Sequence, residues 1–181
     1  MRYNREVMKV IVGLGNPGPE YMGTRHNTGQ LLVERISDRL LPTNKDGYGW
    51  RRKKNLLVAE FPGLTLVKSA DIFMNESGRM ISDIRYLGGE KDLFIAHDDL
   101  DIRLGDYKVQ FGVGPKVHGG INSIEATLKT DQFWRIRIGI DNRKVSVDGE
   151  AYVLEKFSPE EKEILDGVLE KVADEILKAA S

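Results

Sequence analysis

The chain has 181 residues, 40% of them hydrophobic and 30% charged, with a formal net charge of −1, which suits one compact domain over 1–181 with a sizeable core. It holds no cysteine, so disulfides, thiolate metal sites and a cysteine nucleophile are excluded. No apolar stretch approaches bilayer-spanning length, and Met1-Arg2-Tyr3-Asn4-Arg5-Glu6 has no signal-like apolar core, so a cytoplasmic protein with no membrane partner is expected.

The first predicted element is a strand, Val7–Gly13, built on the apolar run Met8 to Val12. A long loop rich in glycine and proline follows, then a helix over about Asn27–Leu41 that Pro42 stops. Strands at Leu56–Phe61 and Leu64–Lys68 are joined by a Phe61-Pro62-Gly63 hairpin turn. A helix at Asn75–Leu87 ends on Gly88-Gly89, ahead of strands at Leu93–His97 and Asp106–Gln110. A helix at Asn122–Lys129 and a strand at Phe133–Ile140 come next. The last helix, Pro159–Ala179, has the clearest signals: Ser158, Pro159 and Glu161 read as a capping box, and Leu165, Leu169, Val172 and Ile176 form one apolar stripe. Strands alternating with helices, plus one hairpin, predict an α/β fold: a single domain with a mixed, mostly parallel β-sheet flanked by helices.

Gly13-Leu14-Gly15-Asn16-Pro17-Gly18 fits the dinucleotide fingerprint G-x-G-x-x-G letter for letter. That fingerprint needs a helix to begin within the glycine turn, so that its amino end meets a pyrophosphate. Pro17 and Pro19 bracket Gly18, and no apolar helical spacing begins until Leu31. Helix onset comes too late for a nucleotide site.

The three histidines, His26, His97 and His118, all fall in predicted loops or at strand ends. His26 lies in a polar loop constrained by glycine and proline, where it is either a general base or a structural imidazole. His97-Asp98-Asp99-Leu100-Asp101 offers an imidazole and three carboxylates. Adjacent carboxylates on extended backbone point to opposite faces, so Asp98 and Asp99 cannot readily share one ion, whereas Asp99 and Asp101 could. Asp98 suits the task of accepting a hydrogen bond from an imidazole and fixing its tautomer; Asp101 reads as a turn cap. Asn16, Asn75 and Asn122 stand at turns or helix starts. Helix capping is the favoured reading for Asn75 and Asn122, and binding of peptide amides the alternative, because an amide side chain both donates and accepts.

From Glu155 onward eight acidic residues face four basic ones, so the rest of the chain is net positive by three. That excess includes Arg51-Arg52-Lys53-Lys54, Lys108, Lys116, Arg135 and Arg137, a candidate phosphate-binding face or simply solvated charge. Arg135 and Arg137 alternate along a strand and are expected to share a face away from the core. The Gly112–Gly120 loop reads as a lid, a phosphate nest or an ordinary crossover.

Four motifs in order resemble the bacterial-type peptidyl-tRNA hydrolases: Gly13-Leu14-Gly15-Asn16-Pro17-Gly18 running on to Tyr21 and Thr24-Arg25-His26-Asn27; Phe73-Met74-Asn75 with Ser77-Gly78; His97-Asp98-Asp99-Leu100-Asp101 with the His118-Gly119-Gly120 and Asn122 loop; and Arg135, Arg137 and Gly139. The resemblance spans about Val10 to Phe157. It implies an esterase that releases peptide from tRNA, with no metal or organic cofactor, peptidyl-tRNA as partner and a monomeric state. His26 is then the base and Asp98 its orienting partner, while Asn75 holds the water or oxyanion. Asn16 and Asn122 grip the peptide backbone, and Tyr21, Phe73 and Met74 wall the cleft. Arg137 meets the terminal phosphate of tRNA together with Lys108 or Lys116. The chain departs from the pattern at Ser69, where proline is usual, and at Ile121 and Ser123, which replace a histidine and a glycine around Asn122. These departures bear on substrate affinity and loop geometry. A non-catalytic RNA-binding protein on the same fold is the alternative, as relatives recruited to RNA splicing illustrate. The His26–Asp98 pair favours the enzyme, since a pure binder needs no oriented base.

Overall fold

The structure is a computed structural model that describes residues 9–41, 49–85 and 93–180. Its elements in chain order are β1 (Lys9–Gly13), α1 (Thr28–Leu40), β2 (Arg51–Lys53), β3 (Leu56–Phe61), β4 (Leu64–Ser69), α2 (Gly78–Arg85), β5 (Leu93–Arg103), β6 (Tyr107–Phe111), α3 (Gly119–Leu128), β7 (Trp134–Asp141), α4 (Gly149–Leu154) and α5 (Pro159–Ala180). Single-turn 3-10 helices at Pro19–Tyr21, Arg25–Asn27 and Met74–Glu76 carry much of the site. The predicted strand start at Val7, the Pro42 stop and the Gly88-Gly89 stop lie outside the described residues.

One seven-stranded sheet runs in the order β2-β3-β4-β1-β5-β7-β6. Its four central strands, β4, β1, β5 and β7, are parallel, and β2, β3 and β6 add antiparallel edges. The sheet is mixed, as expected, with the parallel pairing confined to its middle. Strand alternation sends Val10 and Val12 of β1 to the face covered by α2 and α3, where they join Met80, Ile84, Ile121 and Ile124. Ile11 points to the other face, with Leu32, Val33 and Ile36 of α1 and Leu165, Leu169 and Val172 of α5. Layers of helix on both faces of the sheet bury both sides of its parallel central strands.

The predicted hairpin forms with Phe61 opposite Leu64, and Gly63 supplies the positive φ of 71°. The capping box on α5 is reciprocal: the Glu161 N–H donates to Ser158 Oγ at 3.2 Å and the Ser158 N–H to Glu161 Oε2 at 2.9 Å. Such a cap contributes about 1 kcal/mol.

Two expectations are corrected, and two elements were not foreseen. The strand expected to stop at His97 continues to Arg103, because β7 pairs with it from Phe94 through Asp99 and again at Arg103 after an irregularity. The acidic run is therefore strand, not loop. Arg51–Lys53 form a charged edge strand whose polar sequence hid it, and Arg52, Lys53 and Lys54 pair with Asp71, Glu60 and Asp83. Gly149–Leu154 is a helix of six residues, too short for a helical period to be read. Arg135 and Arg137 do share a face, but a buried one: they are 1% and 7% exposed.

The site lies beyond the carboxyl ends of β1 and β4 and beside the middle of β5, near where open α/β sheets gather their ligands. Chain crossings there are close. A Cβ on Gly29 would sit 2.1 Å from the Ala96 carbonyl oxygen, and one on Gly13 would sit 2.4 Å from that of Gly29. Helix α1 thus starts hard against β1 and β5, and this brings the residues just before it over Asp98 of β5.

Candidate active site

A cleft of about 590 Å³ opens at these strand ends. Asn16, Tyr21 and His26 line it from the loop after β1, Phe73, Met74 and Asn75 from the turn after β4, and Asp98 and Leu100 from β5. Val117, His118, Gly119 and Asn122 close one side, and Asp148, Gly149, Glu150, Val153 and Leu154 another. The sequence-predicted residues His26, Asp98, Asn75, Asn16, Tyr21, Phe73, Met74 and Asn122 are thus all brought together around one cavity.

His26 sits above Asp98, with Nδ1 3.0 Å from each carboxylate oxygen. The Nδ1–H therefore donates to Asp98, leaving Nε2 with the lone pair. Asp98 is 2% exposed, so this contact is largely shielded from water. Burial alone lowers the proton affinity of His26, but the charge of Asp98 and the hydrogen bond to it outweigh that, and the pKa lies above the ordinary 6.5. Burial likewise opposes charge on Asp98, yet His26 and His118 hold it well below the usual carboxylate range.

His118 is the second imidazole on Asp98: its Nε2 lies 3.0 Å from Oδ1, while its Nδ1 accepts the Ile121 N–H at 3.3 Å and caps α3. His97, fully buried, donates from Nδ1 to the Asp98 carbonyl at 2.6 Å and meets the His118 ring edge-on. Burial, reinforced by His118 and Arg137, pushes its pKa down to about 3.

The amides are individually fixed. The Asn27 side chain clamps the backbone of Asn16 from both sides, accepting its N–H at 2.8 Å and donating to its carbonyl at 2.9 Å. Asn16 Oδ1 accepts the Met74 N–H at 2.8 Å, which ties the β1 loop to the β4 turn and leaves the Asn16 amide donors to the cleft. Asn75 caps nothing. It lies in the 3-10 turn before α2, exposed, with Oδ1 packed where a Cβ on Gly119 would be. Asn122 is not a cap either, because α3 begins at Gly119 with His118 as its cap, and Asn122 is exposed on the first turn. Tyr21 and Phe73 meet edge to face at 6.0 Å on the rim, whereas Met74 is 2% exposed and forms the floor.

Arg25, beside His26, is caged. Its guanidinium donates to the Lys156 carbonyl at 2.9 Å and to Glu161 at 2.7 Å, and lies 4.2 Å from the Tyr152 ring centroid and 5.1 Å from that of Phe157. The 3-10 turn carrying His26 is thereby anchored to the end of α4 and the start of α5.

The residues predicted for phosphate binding do not line the cleft. Arg137 donates from Nε to the fully buried Asp99 at 2.7 Å and from Nη1 to Gln110 at 2.7 Å. Gly114 packs against its guanidinium so closely that a Cβ there would lie 2.4 Å from Cζ. Lys108 is exposed on β6, in register with Arg137. Lys116 is also exposed, and its N–H donates to Asp101 at 3.2 Å.

His26, Asp98 and His118 offer three potential metal-ligand atoms within 4.8 Å of one another. A ring nitrogen must present a lone pair to bind a metal. The Ile121 N–H already occupies the lone pair on His118 Nδ1, which leaves the proton on Nε2, so the cap and a metal compete for the same ring. The hydrogen bonds suit proton handling.

A profile of the family described as peptidyl-tRNA hydrolase matches residues 10–181. The chain belongs to the peptidyl-tRNA hydrolase family. It is 37% identical to a peptidyl-tRNA hydrolase of Akkermansia muciniphila over 94% of this chain and 88% of the relative. With one from Mycolicibacterium gilvum the identity is 34%, over 91% and 86%. The crystal structure of peptidyl-tRNA hydrolase from Acinetobacter baumannii superposes with a TM-score of 0.78 at 28% identity, covering 93% of this chain and 86% of that one.

Within this peptidyl-tRNA hydrolase family member, the three departures each have a structural use. Ser69 Oγ both donates to the Ile72 carbonyl and accepts the Ile72 N–H, each at 2.6 Å, folding the turn after β4. Ser123 Oγ accepts the Gly78 N–H at 3.0 Å, joining α3 to the first residue of α2. The Ile121 side chain is 1% exposed and packs in the core, so it leaves the cleft surface to Asn122. Sequence reasoning missed two parts of the site. One is the role of His118, signalled only by its place three residues before Ile121. The other is the α4 wall, whose signal was Asp148, the N-cap that accepts the Ala151 N–H.

Proposed function

We propose that this chain hydrolyses the ester between the carboxyl group of a peptide and the terminal ribose of tRNA, acting as a single domain over 1–181. The observation that carries the reading is the His26–Asp98 pair, with Nδ1 bound at 3.0 Å and Nε2 left as the basic nitrogen in a cleft shared with Asn16, Asn75 and Asn122. His26 Nε2 takes a proton from water as its oxygen bonds to the ester carbonyl carbon. Positive charge developing on the ring is stabilised by the buried carboxylate of Asp98. Asn75 donates to the carbonyl oxygen as it becomes an oxyanion. On collapse the bond to the ribose oxygen breaks, and the proton held on His26 passes to that oxygen, giving free peptide and tRNA.

Asn16 and Asn122 bind the peptide backbone, and Tyr21, Phe73 and Met74 supply apolar wall and floor. Lys108 and Lys116 meet tRNA phosphate from outside the cleft, with Arg137 beside Lys108 on the neighbouring strand. No metal or organic cofactor enters this scheme. The chain works as a cytoplasmic monomer. Among the described residues no helix is long and apolar enough to cross a membrane.

The test is deacylation of N-acyl-aminoacyl-tRNA, with unblocked aminoacyl-tRNA as control. His26→Ala is expected to lose the general-base contribution, about 10²–10⁴-fold in kcat, while keeping its fold and its tRNA affinity. A folded His26→Ala protein with most of its activity would place the base elsewhere.

A further inference from the structure

We propose that His118 is a positioning residue for the base: its Nε2–H, aimed by the helix cap made at its other nitrogen, holds the Asp98 carboxylate in place and shares its charge with His26. The inference rests on the hydrolase reading, in which His26 is the base, and it assigns work to a residue in which the sequence offered none.

The geometry fixes the tautomer. A ring nitrogen that accepts a hydrogen bond carries no proton, and His118 Nδ1 accepts the Ile121 N–H at 3.3 Å. The proton must then be on Nε2, which lies 3.0 Å from Asp98 Oδ1. Asp98 has no freedom to swing towards water, being 2% exposed, and His118 is 6% exposed. Two N–H groups therefore converge on one buried carboxylate, one from each side of the cleft, with their rings 5.1 Å apart. His118 is followed by Gly119, which packs on the Asn75 side chain, and by the first turn of α3 with Asn122. The same imidazole that orients the base partner therefore also starts the helix that presents a substrate amide.

The second donor has an electrostatic consequence. Every N–H placed on Asp98 stabilises its charge and reduces the negative potential felt by His26. The groups around His26 are Asp98 on β5 and His118 before α3, with Asp148 and Glu150 of α4 lining the cleft. His97 and the Arg137–Asp99 pair stand behind His118. Loss of the His118 donor alone leaves Asp98 a stronger proton attractor, so His26 holds its proton to higher pH.

Three measurements test this. Imidazole nitrogen spectra of the wild-type protein are expected to show His118 as the Nε2–H tautomer; the Nδ1–H tautomer would overturn the proposal without any mutation. His118→Asn keeps an oxygen to accept the Ile121 N–H, since asparagine is a good N-cap, but is too short to reach Asp98. In that variant the acid limb of kcat/KM and the His26 titration are expected to move up together by roughly half a unit to one unit, the size of one lost hydrogen bond. His118→Gln, whose amide nitrogen reaches further, is expected to bring both back towards wild type. A merely structural role predicts lower stability with neither quantity moved, and that result in folded His118→Asn refutes the proposal. If His118→Asn does not fold, the wild-type tautomer and the His118→Gln titration decide. Failure of the hydrolase reading looks different: wild-type protein would not deacylate the substrate at any pH, while the tautomer and titrations remained readable.

Discussion

Replacing Asp98 by asparagine tests the heart of the site, and the structure says which ring suffers. His26 Nδ1 lies 3.0 Å from both Asp98 oxygens, so an amide there presents one acceptor and one NH2 donor to it. The His118 Nε2–H, 3.0 Å from Oδ1, claims the amide oxygen and turns the NH2 group to the Oδ2 position, against Nδ1. His118 cannot yield by changing tautomer, because the Ile121 N–H holds its Nδ1 lone pair. That NH2 group competes with the Nδ1–H and favours the His26 tautomer with its proton on Nε2, in which the nitrogen proposed to accept a proton from water is a donor. The asparagine variant is expected to lose most of the base contribution at neutral pH, roughly 10²–10³-fold in kcat. The residual pH dependence has a definite sign. Without the carboxylate, burial is left as the largest influence on His26, so its pKa falls below 6.5 and the acid limb moves to lower pH. A charge-assisted hydrogen bond contributes about 1.5–3 kcal/mol, which corresponds to a displacement of roughly 1–2 units. The assay is kcat/KM for N-acyl-aminoacyl-tRNA across the pH range in which the protein stays folded, with the His26 titration followed by nuclear magnetic resonance. An acid limb that stays put or rises, or a loss smaller than tenfold, would refute the reasoning.

Two further outcomes concern stability and binding. Folded His97 resists protonation down to about pH 3 whereas an unfolded histidine titrates near 6.5, so the protein is expected to lose stability as pH falls through that window. Between pH 6.5 and 4 the loss is on the order of 3 kcal/mol; His97→Phe should flatten it in denaturant titrations, and an unchanged pH dependence would show that His97 does not resist protonation. Arg137→Ala strands the buried charge of Asp99 and is expected to cost about 3–5 kcal/mol of stability. If Arg137 also touches tRNA phosphate, the Michaelis constant should rise with little change in kcat, and the log–log salt slope should become shallower by about one. A variant of unchanged stability would refute the anchoring role.

The sequence was most legible where one short segment carried its own geometric constraint. The β3–β4 hairpin and the α5 capping box were readable because turn and cap residues act within four positions of one another. The convergence of His26 on Asp98 was readable only through the family motifs, since the two are 72 residues apart. Nothing in the local pattern foretold that β5 would extend through the acidic run, because that depends on β7 offering a partner as far as Asp99. Asn75 and Asn122 looked like caps because asparagine is a good cap. The structure gives the α3 cap to His118 and an amide-accepting role at α2 to Ser123, leaving both asparagines exposed. Arg135 and Arg137 were expected on a face away from the core, for phosphate or for solvent, because arginine is seldom buried. Glu125 and Asp99, distant in sequence, are what make their burial tolerable.

The cage around Arg25 gives the site an order of assembly. Arg25 and His26 are made well before the groups that seat Arg25, of which Lys156 and Glu161 follow it by 131 and 136 residues. A nascent chain holding both His26 and Asp98 still lacks the platform on which His26 stands. Folding of the segment from Tyr152 to Glu161 onto Arg25, and not the synthesis of His26 and Asp98, is therefore the step that completes the cleft.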